Sequence, residues 1–208
     1  MNFTICKDNE VFSYLIVDNF YDEKEQLLIW EELDYLQSYL KEDNPTETHG
    51  SAIESDGSRS AKLVRIYLDD FYGKDRHKSN IFSVYQKIIS PTVLEAYRLT
   101  TPTWRTFEMT NTDQTVINYY DNGDSYKPHI DVYQHTVLIW FYREPKKFIG
   151  GDLFFPQSNE EVECKHNRLI IFPSYYLHQV KEVNLEEKYI GKNLGRYCLT
   201  HFYNIRDY

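Results

Sequence analysis

The stretch Thr115-Val116-Ile117-Asn118-Tyr119-Tyr120-Asp121-Asn122-Gly123-Asp124-Ser125-Tyr126-Lys127-Pro128-His129-Ile130-Asp131 decides how the chain reads. Thr115 to Tyr120 is rich in β-branched and aromatic residues and runs into Asn122-Gly123, so it reads as a strand ending in a turn. Beyond the turn, His129 and Asp131 stand two apart, and residues two apart on a strand point to the same face. An imidazole and a carboxylate can therefore meet at one point inside a β-structure. A third ligand would have to arrive from another strand. His178, after Phe172-Pro173-Ser174-Tyr175-Tyr176-Leu177, sits at the edge of a later strand candidate.

Working outward, short strand-like runs continue after about residue 103: Thr136 to Tyr142, Asp152 to Phe155, Arg168 to Phe172 and Arg196 to Tyr203. Turn signals such as Gly150-Gly151 separate them. Many short strands without helices between them point to a β-sandwich or jelly roll. The part before residue 103 reads as mostly helical, after one strand candidate at Val11 to Val17. Asp22 with Glu25 three residues later is a capping-box variant, and Ile29, Leu33, Leu36 and Leu40 then recur at helical spacing. A second helical stretch starts near Ser79, with Ile81, Tyr85, Ile88 and Ile89 on one side, and Ser90-Pro91 marks a new start. Residues 41 to 61 are polar and long enough to be read as a functional loop.

The 208 residues suit one domain, with a helical part over about 1–102 and a β core over about 103–208. The aromatic supply of 19 Tyr, 12 Phe and 3 Trp suits strands. No apolar run reaches the length of a membrane helix and the N-terminus lacks signal-peptide features, so the expectation is a cytoplasmic protein with no membrane partner. The odd, widely spaced Cys6, Cys164 and Cys198 fit neither a disulfide framework nor a zinc site. A net charge of −9 works against phosphate binding, so nucleic acid is not the expected partner.

Two histidines and one carboxylate on one face of a metal leave three positions open, the arrangement that iron(II) oxygenases use to take O2 and a bidentate co-substrate together. A His-x-Asp pair arises easily by chance, so its surroundings carry the argument. The blocks Asn118-Tyr119-Tyr120-Asp121-Asn122-Gly123, Tyr126 to Asp131, Gly150-Gly151-Asp152-Leu153-Phe154-Phe155, Asn167 to Pro173, and His178 with Gly195 to Phe202 follow in a fixed order. In these blocks, over roughly residues 115 to 205, the chain resembles the 2-oxoglutarate-dependent dioxygenases, in particular the prolyl 4-hydroxylase-like group. The resemblance implies an α+β, mainly β fold: a double-stranded β-helix (jelly roll) core with N-terminal supporting helices.

It also implies roles. His129, Asp131 and His178 would be the catalytic iron(II) ligands, and Arg196 would bind the distal carboxylate of 2-oxoglutarate, which a planar guanidinium pairs with through two parallel hydrogen bonds. Tyr120, Asn118 and Tyr142 are further candidates for co-substrate contacts, and Tyr126 for the substrate mouth. The cofactors implied are Fe(II), 2-oxoglutarate and O2, with ascorbate as a possible accessory reductant. Two departures stand out. His178 and Arg196 are 18 residues apart, with a charged insert from Asn184 to Asn193 that reads as a looped-out hairpin. Cys198 stands where many relatives have Ser.

The remaining histidines, His49, His77, His135, His166 and His201, read as solvated or hydrogen-bonded side chains, though His49 could touch substrate. The loop from about 46 to 61 is a candidate lid. The reaction implied is hydroxylation of a C–H bond, most readily of a peptidyl prolyl residue, with decarboxylation of 2-oxoglutarate to succinate. A peptide or protein substrate is then the partner expected. An alkylated nucleic-acid demethylase or a small-molecule hydroxylase is the alternative within the superfamily, and an inactive jelly-roll binding module the alternative outside it. Oligomeric state is not readable.

Overall fold

In the computed structural model, which describes residues 1–8, 12–42 and 59–206, the chain opens with strands β1 (Asn2–Asp8) and β2 (Phe12–Asp18) and helix α1 (Glu23–Leu36). Strands β3 (Ala61–Lys62) and β4 (Val64–Tyr67) precede helices α2 (Leu68–Tyr72), α3 (Asn80–Val84), α4 (Pro91–Thr100) and α5 (Trp104–Glu108). Then come β5 (Thr112–Tyr120), β6 (Ser125–His129), β7 (His135–Phe141), β8 (Phe148–Gly150) and β9 (Leu153–Phe155). The last strands are β10 (Glu160–Val162), β11 (Arg168–Pro173), β12 (His178–Val180), β13 (Val183–Leu185) and β14 (Arg196–Asn204).

A seven-stranded antiparallel sheet has the order β1-β2-β11-β7-β14-β5-β4, and a five-stranded one the order β10-β9-β12-β6-β3. Together they make the jelly roll, backed by the N-terminal helices. The period of two in the central strands explains the layering. Val137, Ile139 and Phe141 of β7, with Ile117, Tyr119, Tyr197 and Leu199, join Ile29, Leu33, Ile81 and Val93 from the helices in one core. The alternate residues Leu138, Trp140, Tyr120, Ile170 and Cys198 face the smaller sheet and join Leu153, Phe155 and Val180 in a second core. Burying one large apolar side chain is worth roughly 1.5–3 kcal/mol. Two such cores on one sheet lock its register, since a one-residue slip would exchange them.

The capping box forms as the sequence requires: Glu25 N donates to Asp22 Oδ1 at 2.9 Å and Asp22 N to Glu25 Oε2 at 2.7 Å. Ser79 caps α3, and Pro91 opens α4. Glu32 is buried on the inner face of α1 and accepts from Ser79 Oγ at 3.0 Å and from Ile81 N at 2.6 Å, tying α1 to α3.

The structure differs from the sequence reading in three places. The N-terminal part holds the expected strand as β2, and three strands that were not expected, β1, β3 and β4, at the sheet edges. β3 and β4 are too short for a period of two to show. Residues 104–108 form a helix where the β core was expected to begin. The insert is no self-contained hairpin: its first residues belong to β13, which pairs with β8 in the register Asn184↔Ile149. The candidate lid falls mostly, and His49 wholly, outside the described residues. Cys6, Cys164 and Cys198 are free thiols. No described helix is long and apolar enough to cross a membrane.

His135 and His201 are buried rather than solvated. His135 Nδ1 meets Tyr97 Oη at 3.0 Å and its Nε2 meets Thr106 Oγ1 at 2.7 Å; His201 Nδ1 meets Thr115 Oγ1 at 2.9 Å. Burial pushes both down to about 4. Their neutral forms are favoured in the fold and their charged forms in the unfolded chain. Stability from these groups is therefore complete above the ordinary histidine pKa of about 6.5 and is lost as the pH falls toward 4. Thermal unfolding is expected to give a melting temperature that is level near pH 7–8 and falls by roughly 5–10 °C per buried histidine between pH 6.5 and 4. A His135→Gln variant is expected to show a shallower fall; an unchanged slope would contradict this origin.

Candidate active site

His129 ends β6 and His178 starts β12, and the two are paired directly across the smaller sheet. Their ring centroids lie 4.3 Å apart. Asp131 lies just past β6, so strand alternation alone does not place it. Its N–H donates to Ser174 O at 3.0 Å, in the turn after β11. Its carboxylate accepts from Thr136 Oγ1 at 2.6 Å, and Thr136 Oγ1 meets Ser174 Oγ at 2.8 Å. The result is convergence: His129 Nε2 lies 3.7 Å from Asp131 Oδ1 and His178 Nε2 lies 3.4 Å from Asp131 Oδ2. One ligand atom from each of the three residues falls within 4.8 Å of the others.

The tautomers follow from what lies behind each ring. His129 Nδ1 faces Lys127 O at 2.8 Å and His178 Nδ1 faces Tyr176 O at 2.8 Å. A carbonyl oxygen only accepts, so each Nδ1 carries the proton and each Nε2 turns a lone pair toward Asp131. Burial pushes both imidazoles down to about 4, with the neighbouring His178 adding to the effect on His129. The same burial pushes the Asp131 carboxyl up. Two neutral imidazoles and one carboxylate, each oriented by a backbone or hydroxyl partner, are a donor set fit for a divalent cation. Tyr126 stacks on His129, centroids 3.6 Å apart and nearly parallel, and fixes the ring plane.

Arg196 starts β14 opposite Tyr120 and is fully buried. Among the described residues no nitrogen or oxygen atom pairs with its three guanidinium nitrogens, and its polar neighbours are the Cys164 and Cys198 thiols. Its guanidinium carbon lies 4.7 Å from the centre of the Tyr120 ring and 5.6 Å from that of Trp140. A buried cation without a hydrogen-bonded counter-charge is among the costliest features a fold carries. A carboxylate placed against it removes that penalty through a two-pronged pair. The donor set for a cation and this guanidinium open on the same cavity. That cavity is lined by the triad and Arg196 together with Tyr120, Asn118, Tyr126, Leu138, Cys198 and others.

Of the residues singled out from the sequence, the structure thus brings His129, Asp131, His178, Arg196, Tyr120, Asn118 and Tyr126 to one cavity. Asn118 is a wall residue there, with its Nδ2 donating to Thr200 Oγ1 at 3.0 Å. Tyr142 is not brought to it. Its ring packs on Phe148 and His166 instead, and Trp140, two residues earlier, is the β7 aromatic beside Arg196. Sequence reasoning missed Thr136 and Ser174, which carry no motif, and Arg65, which lies on the unanticipated β4 and lines the cavity beside Asn118.

Residues 115–204 match the family described as the 2OG-Fe(II) oxygenase superfamily. The fold is similar to a prolyl-4-hydroxylase of Pseudomonas putida (14% identity, 93% of each chain covered, TM-score 0.59). It is also similar to a prolyl hydroxylase of Trichoplax adhaerens in complex with a hypoxia inducible factor peptide fragment (16% identity, 92% of this chain and 83% of that one, TM-score 0.60). A third similar structure is OsALKBH1 (14% identity, 91% and 97%, TM-score 0.51). At these identities the likeness is one of fold. No curated protein matches the chain in sequence.

The Thr136 hydroxyl hydrogen-bonds the Asp131 carboxylate and Ser174 Oγ. Thr136→Val keeps the shape and removes the hydroxyl, so metal affinity, measured by competition titration with cobalt(II), is expected to fall roughly 10–100-fold with the fold intact. Unchanged affinity would show that Asp131 needs no such support.

Proposed function

Residues 115–204 belong to the 2OG-Fe(II) oxygenase superfamily, a family that uses Fe(II), 2-oxoglutarate and O2, and from that premise we propose that the chain hydroxylates a C–H bond of a peptidyl prolyl residue. The observation that carries the reading of the site is the pairing of the His129–Asp131–His178 cluster with the unpartnered, buried Arg196 in one cavity. In this reading His129, Asp131 and His178 hold the metal, and Arg196 holds the distal carboxylate of the co-substrate. Bound together, the group supplies an oxidant that puts one oxygen atom of O2 into the substrate while 2-oxoglutarate leaves as succinate and CO2.

The chain's own part is orientation and exclusion of water. The Tyr120 ring, its centre 4.7 Å from the Arg196 guanidinium carbon, gives the cation an aromatic neighbour. Leu138, Val116 and Val180 give the cavity apolar walls, so the charge–charge contacts inside act in a low dielectric. Tyr126, stacked on His129, lines the cavity with Tyr67 and Tyr133. Tyr133 stacks on Phe202 with centroids 4.4 Å apart. The exposed Ile130 and Val132 flank Asp131 on the rim. An apolar, aromatic rim suits the pyrrolidine ring of a prolyl residue better than a phosphodiester, and the net charge of −9 points the same way. The two prolyl hydroxylases of similar fold support this choice of substrate.

Two experiments test the reading. Anaerobic addition of iron(II) and 2-oxoglutarate is expected to raise a visible charge-transfer band that His129→Ala abolishes and Arg196→Gln weakens at least about 100-fold in co-substrate affinity, the scale of a lost buried charge pair. No band in the wild type would refute it. For the substrate, mass spectrometry of proline-containing peptides after turnover is expected to show the gain of one oxygen on proline. Oxidation of methylated oligonucleotides in its place would move the chain to the demethylase reading.

A further inference from the structure

The segment from Ser60 to Tyr67 serves both sheets, β3 lying in the smaller and β4 in the larger. Lys127 N donates to Ser60 O at 2.9 Å, and β3 pairs with β6 in the register Ala61↔Tyr126. Further along, β4 pairs with β5 in the register Arg65↔Asn118. The Arg65 backbone is also held by Lys41: Arg65 N donates to Lys41 O at 2.8 Å, and Lys41 N to Arg65 O at 3.3 Å. From this fixed point the buried Arg65 side chain lines the cavity.

Its guanidinium carbon lies 5.7 Å from the centre of the Tyr126 ring, within reach of a cation–π attraction. Its charge and a hydrogen bond from it also act on the Tyr126 phenol. Tyr126 in turn lies on His129, with ring centres 3.6 Å apart and planes 13° from parallel. A cation on the larger sheet, a phenol on the smaller and a triad imidazole therefore follow one another in contact. The bond from His129 Nδ1 to Lys127 O fixes one atom of the imidazole and leaves its tilt open; the Tyr126 stack sets that tilt. We infer that Arg65 is a positioning residue that holds the Tyr126 ring on His129, fixing the imidazole plane and the place of Tyr126 in the cavity. The inference rests on the functional reading above and adds to it a residue that reading does not use.

The test uses the full chain with isotope-labelled histidine and reads the ring C–H signals by NMR, with zinc(II), which does not turn over, and without metal. The signal missing in His129→Gln identifies the residue. A stacked ring shields it, so it is expected to lie upfield and to move downfield in Tyr126→Leu. Arg65→Met is expected to move it the same way, and Arg65→Lys, which keeps a cation and its donors, to restore most of the wild-type position. Adding Arg65→Met to Tyr126→Leu is expected to move it no further. In turnover with iron(II), Arg65→Met is expected to raise KM for a prolyl peptide about tenfold, on the scale of a desolvated cation–π contact. A His129 signal that ignores Arg65→Met overturns the inference, as does a further move in the double variant, which would mark an effect that bypasses Tyr126. Should Arg65→Met not fold, Arg65→Gln takes its place with the same expected and overturning results. Failure to bind zinc or to turn over the peptide would sink the functional reading instead, and the metal-free spectra would still decide the role of Arg65.

Discussion

The constraint on which this molecule depends is that each central strand of the larger sheet serves two cores at once. On β7, Val137, Ile139 and Phe141 must meet the helices while Leu138 and Trp140 meet the smaller sheet. On β14, Tyr197 and Leu199 belong to the helix side, so Arg196, Cys198 and Thr200 have no choice but to face the cavity. The placement of a charged residue in the interior is thus set by hydrophobic registration on the opposite face. Core packing comes first, and the site inherits its geometry.

Within that frame the cavity has two poles. At one, neutral imidazoles and a buried carboxylate converge, their orientations set by Lys127 O, Tyr176 O and Thr136 Oγ1. At the other, Arg196 sits in a tight cradle. A Cβ on Gly151 would come within 2.9 Å of Arg196 Cδ, and a Cβ on Gly195 within 2.1 Å of Tyr120 O. Any larger residue at either position would displace the arginine or part β14 from β5. Among the described residues the Arg196 guanidinium is left without a nitrogen or oxygen partner, an unusual state for a buried charge.

The sequence made much of this legible. The strands from Thr115 onward, the capping box at Asp22 and the start of α4 at Pro91 follow from local pattern, and ordered blocks pointed to the triad and Arg196. What stayed hidden depended on contacts between distant segments. Thr136 and Ser174 look like any strand-end hydroxyls until β7 and the turn after β11 bring them to Asp131. Arg65 belongs to a strand of four residues, below the length at which alternation is readable. For Tyr142 the alternation was right, since it shares a core with Trp140 and Tyr120. Its position along the strand was not, because Phe148 and His166 claim the ring before it reaches Arg196.

The long gap between His178 and Arg196 has a structural use that its composition concealed. Val183 exchanges backbone bonds with the turn joining the two sheets: Gly123 N donates to Val183 O at 2.7 Å, and Val183 N to Asp124 O at 2.9 Å. Leu185 N donates to Asn122 Oδ1 at 2.9 Å, and Gly191 N to Asp121 Oδ2 at 3.0 Å. Those four turn residues lie between Tyr120, which sits against Arg196, and Tyr126, which sits against His129. Clamping the turn holds the strand that carries Tyr120 in place relative to the strand that carries Tyr126.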